Sequence, residues 1–107
     1  MAFNGDEGKM IDPALAQKWI DNYAKAAGPE AIKAEFFGFR RLSELLGQGK
    51  AIGVRIYYAK DDEGQQRLVL IAVSPEEQNL AKIDGSAAVG FVLEEGLRCP
   101  PYCNVAD

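Results

Sequence analysis

The sequence predicts an α+β domain, a small antiparallel sheet built on a β-hairpin and packed against helices, and three observations carry that prediction. Two runs rich in β-branched and aromatic residues, about 51–59 and 66–74, flank a polar turn at Asp61-Asp62-Glu63-Gly64. Well before them, Leu15, Trp19, Tyr23 and Ala26 recur at intervals of four or three, the period of one helix face. At 107 residues and 48% hydrophobic content, the chain is long enough to bury one core.

Each element has its own signal. Residues 1–10, with Asn4-Gly5, Asp6, Glu7 and Gly8, read as a polar, flexible lead outside the core, leaving 11–107 as a single domain. Asp12 can accept bonds from the free N–H groups of a first helical turn, and Pro13 suits the first helical position. That helix runs from Pro13 to about Ala27, buries the Leu15–Trp19–Tyr23–Ala26 stripe, and is stopped by Gly28-Pro29.

From Ala31 to Phe37, Ile32, Ala34 and Phe36 alternate with Lys33 and Glu35, which predicts a short strand. A second helix, about 39–47, sets Leu42, Leu45 and Leu46 against Arg41, Ser43 and Glu44. In the hairpin, Ile52, Val54, Ile56 and Tyr58 share one face of the first strand. The second strand is apolar on both faces, which predicts a central position. Ser74-Pro75-Glu76-Glu77 has the form of a capping box and predicts one or two helical turns to about Ile83. Ala87 to Leu93 reads as a last strand, so the hairpin gains one or two further strands.

Composition removes several function classes. There is no histidine, hence no usual general base, metal ligand or neutral-pH switch. Ser43, Ser74 and Ser86 lack a G-x-S-x-G setting, so no acyl-transfer triad can be assembled and a non-enzymatic protein is expected. The net charge of −4, with basic residues scattered apart from Arg40-Arg41, argues against nucleic acid. No stretch approaches a membrane span, and Met1 to Met10 shows no secretory apolar run, so a soluble, cytoplasmic protein is expected. Gly47-Gln48-Gly49-Lys50 follows a helix and precedes a strand, the reverse of a phosphate loop, and the Asp61–Gly64 turn lacks calcium-loop spacing. No cofactor and no metal site is implied.

Two groups of residues remain as candidates. Cys99-Pro100-Pro101-Tyr102-Cys103 has neither thioredoxin nor zinc-ribbon spacing. In extended proline geometry Cys99 and Cys103 stand about 12 Å apart, whereas a disulfide needs less than about 7 Å between Cα atoms. A bridge therefore requires a turn, centred on Pro101-Tyr102 or built on a cis Pro100-Pro101 bond. Reduced structural thiols, a disulfide or redox clip, and a metal shared between chains all stay open. The second group is Arg55 with Tyr57, on the less buried face of the first hairpin strand; a guanidinium among apolar residues is either a salt-bridged structural group or the anchor of a small-ligand site beneath the first helix.

Three segments, Gly53-Val54-Arg55-Ile56-Tyr57-Tyr58, Leu68-Val69-Leu70-Ile71-Ala72-Val73 and Leu93 to Cys103, together resemble a group of small uncharacterised bacterial proteins common in Bacteroidetes. That group shares a G-[VI]-R-[IV]-Y strand and a C-terminal C-P-P-x-C segment, and Phe36-Phe37-Gly38 with the Leu45-Leu46 helix extends the resemblance over most of residues 11–103. It implies a bacterial origin and one compact domain, and it carries no assigned activity or catalytic residue. The leading functional expectation is thus an interaction or regulatory accessory module with a protein partner or a second copy of itself. The alternative is a thiol-based redox or metal-responsive protein using Cys99 and Cys103.

Overall fold

A computed structural model of the protein describes residues 2–81 and 90–105. In chain order the elements are α1 (Pro13–Ala27), β1 (Ala34–Phe36), α2 (Phe39–Leu46), β2 (Gly53–Lys60), β3 (Gln66–Val73), β4 (Val92–Leu93) and β5 (Leu97–Cys99). The class is α+β, with the hairpin where the sequence puts it. The chain forms two units, Met1–Glu7 with Phe37–Gly96, and Gly8–Phe36 with Leu97–Asp107.

The first unit is the hairpin and its cover. Sheet order is β2-β3-β4, antiparallel throughout, so β3 is central as its two apolar faces predict, and Leu70 to Val73 are all buried. Register runs from Gly53↔Val73 to Lys60↔Gln66. Asp61 builds the turn: its Oδ1 accepts from the Glu63 and Gln65 N–H groups, and Gly64 takes a φ of 81°. On one face, Leu45 of α2 packs with Leu70 and Ala72, joined at the margin by Leu42, Val54 and Leu93. With eight residues, α2 is only about 12 Å long. It packs against β3 and β4 and leaves Ile56 50% and Tyr58 86% exposed on β2.

Among the described residues no helix follows β3. Ser74 Oγ accepts from the Gln78 N–H, Glu77 adopts a φ of 69°, and the chain turns back alongside β3 through Ser74 N–H to Gln78 O and Leu80 N–H to Ala72 O. The left-handed residue ends the first turn before a helix can propagate, so the capping-box reading is corrected to a reversing turn. Of the strand expected over Ala87 to Leu93, Val92–Leu93 is present and Gly90 and Phe91 lie outside it, while residues 87–89 lie outside the described residues. The lead is also tied down: the Phe3 N–H donates to the Pro75 carbonyl at 2.8 Å.

In the second unit, α1 starts and stops at the residues expected. Asp12 Oδ1 accepts from the Ala14 N–H at 2.8 Å, Pro13 follows, and the Gly28 N–H closes onto Ala24 O. β1 pairs antiparallel with β5, setting Ala34 opposite Cys99, Glu35 opposite Arg98 and Phe36 opposite Leu97. The apolar stripe of α1 is not buried: no residue of the helix is, and Trp19 is 55% exposed. Two strands of three residues offer too little surface within this unit to cover a four-turn helix.

Candidate functional site

The alternation of β2 sends Arg55 and Tyr57 to the face opposite α2, where they stand across the ladder from Ile71 and Val69. This face is the better covered one along the middle of β2, since Arg55 and Tyr57 are half-buried where Ile56 and Tyr58 are exposed. The sequence reading that placed Arg55 and Tyr57 on the less buried face is thereby corrected. The reversing turn after β3 is the cause, because it delivers Glu77 and Asn79 to this side.

A polar network results. Arg55 Nη1 donates to Asn79 Oδ1 at 2.7 Å, and Asn79 Nδ2 donates to Tyr57 Oη at 2.8 Å. Arg55 Nη2 lies 3.5 Å from the Glu77 carbonyl, a weak contact. The guanidinium carbon stands 5.9 Å from the centroid of the Phe3 ring, within cation–π range. The Asn79 amide, backed by Arg55, holds the Tyr57 phenol below its ordinary range, with burial acting the other way. Both hydrogen-bond acceptors of Arg55 are neutral, so among the described residues no carboxylate answers its charge.

Beside this network lies a cavity of about 430 Å³, lined by Phe3, Gly5 and Glu7 of the lead, by Gly53 to Arg55 at the start of β2, and by Val73. Gly5 has a φ of 92°, and a Cβ there would stand 3.1 Å from Ile52 Cγ1, so the lead reaches this close only with glycine. Both Glu7 oxygens accept from the lead's own backbone, from the Asn4 and Gly5 N–H groups. The N–H of Asn4 is the main cause of a carboxyl held below its ordinary value. Arg55 lines the cavity; Tyr57 does not, and reaches it only through Asn79. One wall comes from residues 3–7, a segment whose composition reads as a flexible lead outside the core. Phe3, the lone ring in a polar stretch, was the available signal.

The two cysteines are joined to each other. Their Cα atoms lie 4.7 Å apart, within a turn in which the Tyr102 N–H donates to Arg98 O and the Cys99-Pro100 and Pro100-Pro101 bonds are both cis. Of the turns compatible with a bridge, the one containing a cis Pro100-Pro101 bond is the one present. Cys99 ends β5 and its carbonyl accepts from the Lys33 N–H beside β1, so the clip sits at the end of a strand ladder. Oxidised sulfurs are poor metal ligands, and no group of three or more acidic or cysteine side chains able to hold a metal occurs among the described residues.

No helix among the described residues is long and apolar enough to cross a membrane. No protein-family model, no curated protein and no solved structure matches this chain.

Proposed function

We propose that this protein is a non-enzymatic interaction module, working in the cytoplasm, that takes up an extended peptide segment of a partner along the free edge of β2. The observation that carries this reading is the sheet order. Among the described residues β2 has a strand neighbour on one side only, over eight residues, and an unpaired edge of that length presents outward-facing N–H and C=O groups. Ile56 and Tyr58 stand exposed on that strand and offer apolar surface against which a partner's alternate side chains can pack.

The test is selection of extended peptides against the full chain, followed by amide hydrogen exchange. Bound peptides are expected to slow exchange along Gly53–Lys60. Ile56→Lys and Tyr58→Lys are expected to weaken binding about tenfold while leaving the unfolding midpoint in place, because both side chains face solvent. Protection confined to other segments, or affinity untouched by both variants, rules the reading out. A dimer that dissociates on dilution and is abolished by Ile56→Lys identifies the occupant of the edge as a second copy of the chain.

The disulfide favours a second reading, a thiol switch. Two glutathione molecules would give up one electron and one proton each, leaving two thiols and oxidised glutathione. Redox titration with alkylation and mass spectrometry decides: a midpoint near the glutathione pool supports a switch, whereas a far more reducing midpoint marks a structural clip.

A further inference from the structure

We propose that the Arg55 cavity binds a small organic monocarboxylate with an apolar body. The guanidinium is held on three sides by the Asn79 amide oxygen, the Glu77 carbonyl and the Phe3 ring, so its position is set before any ligand arrives. Each of those groups is uncharged. A half-buried cation whose described partners are all neutral gains most from an anion that can meet its planar donors two at a time, which is carboxylate geometry.

The remaining walls select further. Phe3 and Val73 face the cavity with apolar surface, and Gly53 leaves the strand backbone open to close approach. A volume of about 430 Å³ falls in the range of small-ligand sites. Glu7 stands in the same wall, ionised and bonded into the lead, and its negative charge opposes any anion, a doubly charged one more than a singly charged one. Phosphate dianions and dicarboxylates are therefore poorer ligands than monocarboxylates. Tyr57 is a positioning residue here, since it fixes the Asn79 amide, which in turn fixes Arg55.

Hexanoate, hexan-1-ol and inorganic phosphate, titrated into the 15N-labelled full chain, test the proposal. Hexanoate should saturate with a Kd on the order of 1 mM, about what eight heavy atoms sustain, and shift the amides of Phe3, Gly5, Gly53 and Arg55. Hexan-1-ol and phosphate should bind at least about tenfold more weakly. Arg55→Gln should lose hexanoate binding by a similar factor. If that variant fails to fold, Phe3→Leu, a change in the lead, gives the second measure and should weaken hexanoate severalfold. Acetyl-glycyl-valine beside its C-terminal amide tells a chain-end carboxylate from a free acid, and preference for the acid in either form supports the site. Absence of saturation, equal binding of the alcohol, tighter binding of phosphate, or shifts elsewhere overturns it.

Discussion

Arg55 and Leu45 show how differently single side chains are specified in this molecule. Leu45 sits on an amphipathic stretch whose period announces it, and it is 2% exposed against Leu70 and Ala72. Leu45→Ala is expected to destabilise the hairpin unit by about 2–5 kcal/mol, measured as a shift in urea midpoint at constant slope. Arg55 was visible as a charge in an apolar strand, and the pairing with Tyr57 was visible from their spacing of two. Its partners were not, because Phe3, Glu77 and Asn79 arrive from segments with no period to read. Tyr57 is expected to titrate below the ordinary tyrosine value, and Asn79→Ala to return it upward, since the Asn79 amide is the main cause of the shift. Resonances of 13C-labelled tyrosine rings followed to high pH check both.

At the scale of elements, local signals set the ends of α1, α2 and the hairpin to within one or two residues. Caps, glycine stops and period-two runs act through neighbours in sequence, so no tertiary information was needed. The Ser74 segment shows where this fails: the same hydroxyl that can cap a helix instead accepts from Gln78, four residues on, and the left-handed Glu77 reverses the chain. The Asp61 turn carries a pH signature. Its carboxylate accepts from the Gln65 N–H, chiefly, and from the Glu63 N–H, with Arg67 alongside at 3.3 Å, so its folded pKa is depressed. The contribution to stability is present above the unfolded value of about 3.9 and is lost as pH falls through the lower folded value. Urea midpoints measured downward from pH 5 are expected to fall through that window, and Asp61→Asn to flatten this part of the profile.

At the scale of the whole molecule, the chain interleaves its two units, and this was least legible. Phe36 pairs with Leu97 across the intervening hairpin unit, and a three-residue strand such as Leu97-Arg98-Cys99 leaves no alternation long enough to detect. The disulfide contributes where the ladder is shortest. Closing so small a loop is worth about 2 kcal/mol in the chain-entropy account, a meaningful share of what one helix and two short strands can muster. Trp19, the only tryptophan, lies in this unit. Its fluorescence should therefore report a lower unfolding midpoint after reduction, or in the paired Cys99→Ser and Cys103→Ser variant, with the Leu45 environment unmoved.

The clip at Cys99 and Cys103 also bears on how the polypeptide wears. A carboxypeptidase removes residues one at a time from the C-terminal side, and Asn104 and Val105 stand exposed to it. With its sulfur held by Cys99, Cys103 cannot enter a carboxypeptidase site as a free terminal residue, and even after peptide cleavage it stays attached through sulfur. Digestion of the oxidised protein is expected to halt at Cys103, whereas digestion under reductant runs on through Tyr102 to the prolines. A mass ladder of the digest reads the difference directly.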